Sequence, residues 1–398
     1  MPIFTRYRRA LAGRDFRLLW LGSSLSLAGD GMTFVALAWL VLSQPDGTAR
    51  LGLLTVCYTL PVFAGGLLAG PLLDRFDKRH VLAADSVVRG VAMAAIPLAA
   101  VAGEVPTVLP FVVAAIYGLF KMVPLAAFPA AIPDLVGEED RDAANALESL
   151  SFSVAGMVGP ALGGLLITVV GAEAVLAFDA VSYAVLAVCA LLVRRPLRTP
   201  ARRAGAPAAR VSVLLRDRVL VITTAAFMIF NIAAGMLMVV GPWLAKTQLP
   251  GGPQALGFML AAMSAGELAG AAAAGGGWPG SRALRAIGLA QFAASLGFLG
   301  VLASPYVWAV AAGFLVVGLF SAPMTVWAQT VRMARIPVEL RGRGFALLRT
   351  LMQATPPLGA AIVTPLLDAG GLVPAALAMA CLALVPAVPL MTAGARAG

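Results

Sequence analysis

From about Phe16 to Leu42 the chain is almost wholly apolar or small, and runs like it recur to near the C-terminal end, separated by short charged breaks. A helix needs about 20 such residues to cross the hydrocarbon of a bilayer. The continuous runs do not alternate, so they do not read as the strands of a β-barrel. Composition agrees. Of 398 residues 60% are hydrophobic and only 12% charged, with mean hydropathy +0.91, where soluble proteins carry about 25% charged residues. The expectation is an all-α integral membrane protein. The first run is too long for the core of a cleaved signal and is read as a retained span. The twelve predicted spans lie at about 16–42, 51–73, 80–102, 107–130, 142–170, 172–193, 219–246, 254–277, 283–302, 305–330, 344–367 and 372–393.

The net charge of +10 is a sum of loop charges and does not imply nucleic acid. Of the 29 basic residues, only Arg50 and Lys246 fall in loops on one side, and Arg89, Lys121 and Arg349 fall within spans. The others, including Arg6, Arg8, Arg9, Arg14, Arg75, Lys78, Arg79, Arg141, Arg282, Arg332, Arg335 and a long basic linker, fall on the opposite side. Cytoplasmic loops collect Lys and Arg, so both termini are expected inside, in a multi-pass protein of the plasma membrane.

The linker at 194–218 is rich in Arg, Pro and Ala and divides the chain into a six-span half at 1–193 and another at 219–398. The halves share a pattern. Gly31-Met32 and Trp39-Leu40 recur as Gly235-Met236 and Trp243-Leu244, and Gly159 recurs as Gly359, all at an offset near 200. Duplicated halves with a binding site near the bilayer midplane are a transporter architecture.

One short break is unusual. Gly70-Pro71-Leu72-Leu73-Asp74-Arg75-Phe76-Asp77-Lys78-Arg79 crowds its charges between Asp74 and Arg79. Its glycine lets backbones approach, and Asp74 can accept bonds at a helix N-terminus or pair with a neighbouring cation. The stretch resembles the signature loop of the major facilitator superfamily, G-x-L-a-D-r-x-G-r-k between the second and third spans. Gly70, Leu72, Asp74, Arg75, Lys78 and Arg79 match; Asp77 stands where that family usually has its second glycine.

Span 5 carries Ala155-Gly156-Met157-Val158-Gly159-Pro160-Ala161-Leu162-Gly163-Gly164. Small residues let helices pack closely, and an internal proline bends the helix. The run resembles the G-x-x-x-G-P-x-x-G-G motif of the superfamily's exporters, matched at Gly159, Pro160, Gly163 and Gly164, with Ala155 replacing the first glycine. Asp15 to Gly22, Gly29-Asp30-Gly31 and Pro133-Asp134-Leu135-Val136 look like the branch that includes enterobactin and macrolide exporters. The resemblance implies twelve helices in two pseudo-symmetric halves, and efflux over uptake.

A charge near the centre of a spanning helix costs about 2.5–3.5 kcal/mol on insertion scales, so such residues usually face a bundle interior. Asp30 lies mid-span 1 between glycines, with Phe34 one turn on along the same face. Glu267 lies mid-span 8 among Ala and Gly. Both are candidate proton or substrate sites. Lys121, with Tyr117 four residues before it, needs a counter-ion such as Asp30 or Glu267. Asn231 is a candidate cavity residue. Asp85 and Arg89 are spaced for an intrahelical pair and are read as gate or structure beside the signature loop. Glu148 and Arg349 sit at equivalent helix ends and are read as an inner gate pair. Asp179 is read as interfacial. The cysteines Cys57, Cys189 and Cys381 fall in apolar runs and are read as small buried hydrophobes.

One histidine, no ligand-spaced cysteines and no phosphate-binding G-x-x-x-x-G-K-[ST] loop argue against an enzyme, a metal site or direct ATP drive. The expected function is a proton-driven exporter of a small amphipathic molecule. It needs no cofactor, takes its energy from the proton gradient, and works as a monomer with lipid and a small-molecule substrate as partners. An importer of the same fold and a non-transporting sensor or scaffold are the alternatives.

Overall fold

The computed structural model describes residues 3–197, 216–275, 280–336, 348 and 350–395. Arg349 and the side chain of Asp74 lie outside what is described, so the Glu148–Arg349 gate has no structural account. Among the described residues, eleven helices are long and apolar enough to cross a membrane. The predicted span at 344–367 runs partly over residues outside this set.

The chain divides into two compact units, one made of residues 1–40 and 61–205, the other of 41–60 and 206–398. In the first lie α1 (Ile3–Ala12), most of α2 (Arg14–Leu42), the second half of α3 (Gly47–Arg75), α4 (Lys78–Val101), α5 (Leu109–Phe120), α6 (Met122–Leu135), α7 (Arg141–Val170) and α8 (Ala172–Leu192). The segment read as a basic polar N-terminus forms α1. Its Ala10 is buried, Tyr7 and Leu11 pack against the cluster that holds Phe16, Leu19 and Phe128, and Arg9 pairs with Asp140 at 3.0 Å.

Span 4 is broken. α5 ends and α6 begins around Lys121. Pro124 is the cause: it has no N–H to give the Phe120 carbonyl, and its ring crowds that oxygen.

The second unit holds α9 (Arg218–Thr247), α10 (Pro253–Gly275), α11 (Ala283–Gly297), α12 (Val307–Arg335), α13 (Pro356–Gly370), α14 (Leu372–Leu384) and α15 (Ala387–Ala395). Asp217 caps α9, accepting the N–H groups of Val219 and Leu220 at 2.8 and 3.1 Å. The predicted last span breaks before Pro386 into α14 and α15 for the same reason as span 4. Arg332, placed by sequence in a cytoplasmic segment, is part of α12. Its guanidinium is buried, bonded to the Thr223 carbonyl at 3.1 Å and stacked 4.7 Å from the Phe227 ring centroid.

The cysteines depart from expectation: Cys57 and Cys189 are half-buried and Cys381 is exposed. In a spanning helix the outer face meets lipid tails, so an apolar side chain gains nothing by turning inward.

Candidate functional site

Three helices of the first unit bring a charge cluster together. α2 supplies Asp30 and Thr33, α4 supplies Asp85 and Arg89, and α8 supplies Asp179 and Tyr183. Positions 85 and 89, and 179 and 183, are one helical turn apart, so each pair points to one side of its helix.

Arg89 is the hub and is 1% exposed. Its Nε donates to Asp85 Oδ2 at 3.1 Å, and Nη2 donates to the same oxygen. Its Nη1 donates to the Tyr183 hydroxyl at 3.0 Å and stands 3.5 Å from Asp30 Oδ1. The guanidinium also lies 4.3 Å from the Tyr183 ring centroid. Tyr183 in turn donates its hydroxyl proton to Asp30 Oδ1. Asp85, Arg89 and Tyr183 are fully enclosed, while the side chain of Asp30 keeps 16% of its surface exposed. Asp30 is therefore the accessible end of a buried chain of charge.

Asp179, read from the sequence as interfacial, is 0% exposed, inside the unit. Its carboxyl meets the Thr33 hydroxyl and, at 3.1 Å, that of Ser182. Gly29 makes the space: a Cβ there would strike the Asp179 carboxyl. Asp179 and Tyr183 went unrecognised in the sequence, although their four-residue spacing in an apolar span was the available signal.

The Asp85–Arg89 pair forms as its spacing predicts, but the guanidinium reaches on to Asp30 and Tyr183, which gives the pair a place in this cluster. Lys121, at the span 4 break, lies 6.0 Å from the Tyr117 ring centroid. Tyr117 is buried and Phe34 half-buried.

The span 5 motif packs directly beside the cluster. A Cβ on Gly31 would lie 2.7 Å from the Ala155 carbonyl oxygen and 3.0 Å from the Gly159 Cα; one on Gly163 would lie 3.0 Å from the Met32 Cα. Pro160 and Gly164 are buried in the same stretch. The motif thus fixes α7 against the segment of α2 that carries Asp30.

Of the other candidates, Glu267 and Asn231 belong to the second unit and Glu148 to α7 of the first. Glu267 is exposed in the second unit, and its backbone lies where α10 meets α12: a Cβ on Gly318 would come within 2.9 Å of its N. It has no hydrogen-bond or ion-pair partner among the described residues. Asn231 is half-buried and donates to the Met352 carbonyl at 2.9 Å, just before the chain turns into α13. Glu148 is half-buried in α7.

In the signature loop the described contacts centre on its second half. Gly70 is exposed, and a Cβ there would meet nothing within 4 Å among the described residues. Asp77 is the N-cap of α4, with φ −65° and ψ 123°, an extended conformation that needs no glycine. Its Oδ1 accepts the N–H of Arg79 at 3.1 Å and of Leu197 at 3.2 Å. Lys78 N–H donates to the Leu197 carbonyl at 3.0 Å and Lys78 Nζ to the same oxygen at 3.2 Å; Arg79 holds the Val193 carbonyl at 3.0 Å. The stretch after α8 is thereby strapped across the start of α4, with Leu197 buried. Arg75 is exposed, its guanidinium 5.6 Å from the Phe76 ring centroid.

The model of the Major Facilitator Superfamily matches residues 19–360. This chain belongs to the major facilitator superfamily. Among curated relatives, the multidrug efflux pump Tap of Mycobacterium tuberculosis is 27% identical over 389 residues, covering 94% of this chain and 91% of that protein. The enterobactin exporter EntS of Shigella boydii is 27% identical over 157 residues, 39% of this chain and 38% of that one. A crystal structure of a POT family transporter in complex with 5-aminolevulinic acid superposes with TM-score 0.78 at 11% identity, covering 96% of both chains. At that identity it shares the fold alone. As a member of the superfamily the protein is a multi-pass membrane transporter of a small-molecule substrate.

Proposed function

We propose that the protein exports a small amphipathic molecule, a drug, antibiotic or siderophore-like metabolite, by proton antiport with alternating access. It works in the cytoplasmic membrane of a bacterium, with both termini inside and the proton gradient as its energy source. The observation that carries the coupling is Asp30. Its carboxyl is partly exposed, while Arg89 and Tyr183 hold it from the buried side. A proton or a cationic substrate can therefore reach it, and either one changes the charge that Arg89 faces. Export is supported by the likeness along 94% of this chain to Tap, a multidrug efflux pump, and by the glycine–proline run that braces α7 against Asp30's helix. Glu267, exposed in a spanning helix where a charge cannot face lipid cheaply, is a second acid for coupling or substrate.

The test is proton flux in proteoliposomes under an imposed pH gradient, across lipophilic cations, macrolides and siderophores, with Asp30→Asn and Glu267→Gln beside the wild type. Substrate-dependent proton flux lost in Asp30→Asn is the expected result. Substrate movement without proton flux would overturn antiport, and accumulation on the side that export empties would overturn the direction.

A further inference from the structure

Asp85 has no surface from which a substrate could reach it, yet it shares a guanidinium with the acid that has one. Arg89 gives two donors, Nε and Nη2, to a single oxygen of Asp85. The other oxygen, Oδ1, is buried and accepts no hydrogen bond from the described residues. The remaining arm, Nη1, points to Tyr183 and Asp30. One buried cation thus serves carboxylates on two helices. A full two-oxygen fork to either, the strong geometry for a guanidinium, weakens its hold on the other. A buried ion left without its partner is costly, so the position of Arg89 follows the charge of Asp30.

We propose that Asp85 is a positioning residue for Asp30: it competes for Arg89, holding the guanidinium in a shared position from which it moves onto Asp85 when Asp30 is neutralised. The open Oδ1 is where the second arm of the fork lands. Because the pair sits on α4, and Tyr183 and Asp30 on α8 and α2, that move changes the tie among all three helices. The inference rests on Asp30 as the coupling acid.

Among the described residues of the first unit, the elements packed around Asp30 bring these charged and titratable groups. α4 brings Asp85 and Arg89, α8 brings Asp179 and Tyr183, and the span 4 break brings Lys121. The α7 residues against this part of α2, Ala155, Gly159 and Pro160, carry no charge. The sign then follows. Asp85→Asn removes a competitor and a nearby negative charge, so Arg89 serves Asp30 alone and its carboxylate stays ionised to lower pH. Arg89→Gln removes the cation, so Asp30 keeps its proton to higher pH. General structural damage has no reason to move the two variants in opposite directions.

The experiment is an infrared titration of the protonated-carboxyl band of Asp30 in the purified full-length protein, the band identified by its loss in Asp30→Asn. It needs no substrate. The expected midpoint falls in Asp85→Asn and rises in Arg89→Gln, each by about tenfold in proton concentration. Asp85→Glu and Arg89→Lys keep the charges, stay near the wild type, and serve if the neutral variants do not fold. Midpoints that stay put or move the same way in Asp85→Asn and Arg89→Gln, or that move by as much in the charge-keeping Asp85→Glu and Arg89→Lys, would overturn the proposal. If they move as expected while Asp30→Asn still couples protons to transport in vesicles, the positioning stands and the coupling role of Asp30 falls.

Discussion

A Cβ placed on Gly159 would lie 2.8 Å from the Cα of Gly31, so α7 and α2 meet backbone to backbone. The second unit repeats the contact. A Cβ on Gly359 would lie 2.7 Å from the Met236 N and 3.0 Å from the Gly235 carbonyl carbon. Gly31 and Gly235, and Gly159 and Gly359, are the residues that recur along the sequence near an offset of 200. Any added carbon must displace a helix, because the atoms it meets are main chain. Gly159→Ala and Gly359→Ala are expected to destabilise by about 1–3 kcal/mol each, read as lowered thermal midpoints in detergent. Unchanged midpoints in both would refute the contact.

Gly70→Ala makes the opposite case. Among the described residues nothing lies within 4 Å of the new carbon, and Gly70 sits within α3. Alanine is the better helix former by about 1 kcal/mol, so the variant should melt at or above the wild-type temperature. A loss of stability comparable to Gly159→Ala would mean that the residue packs in this state after all.

Asp77→Gly restores the residue usual in the superfamily at this place and removes both the α4 cap and the Leu197 anchor. Loss of an N-cap carboxylate costs roughly 0.5–2 kcal/mol, with glycine losing less than alanine. Hydrogen exchange should quicken at the Arg79 and Leu197 amides and leave those of Arg194 and Arg195, which Asp15 holds at 3.1 Å, as they were. Equal protection of Leu197 in both proteins would show that the strap does not depend on Asp77.

Asp217 gives the second unit a pH dependence. Burial alone raises its carboxyl, but the Leu220 N–H, the Arg335 guanidinium at 3.2 Å and the Val219 N–H together hold it below the usual carboxylate range. A folded value below the unfolded one stabilises above about pH 4, the ordinary aspartate value, and that contribution is lost as pH falls through the lower folded value. Asp217→Asn keeps a capping side chain but not the ion pair, and should flatten this part of the profile. Thermal midpoints measured from about pH 5 down to about pH 3 test it; an acid-side slope as steep as the wild type's would assign the dependence elsewhere.

What could be read in advance followed from local chemistry. The apolar runs gave the helices, and the recurring glycines marked where helices cross. Asp85 and Arg89 were legible as a pair because four residues make one turn. Their link to Asp30 was not, because it depends on how α2, α4 and α8 pack. Asp77 looked like a departure from the signature loop; its cap on the Arg79 N–H is local, but its bond to Leu197, far along the chain, depends on the tertiary fold. Glu267 was singled out because a charge within a span is costly; that its backbone sits at the α10–α12 contact was not legible, because it depends on how the two helices pack.

The sequence by itself determined that this chain spans a membrane as helices, in two related halves, because the cost of exposing peptide groups and charges to lipid acts on each segment alone. Only the tertiary structure decided which charges meet. Three carboxyl groups and one guanidinium, drawn from three separated helices, form one cluster because packing places their faces together, and no single segment carries that information.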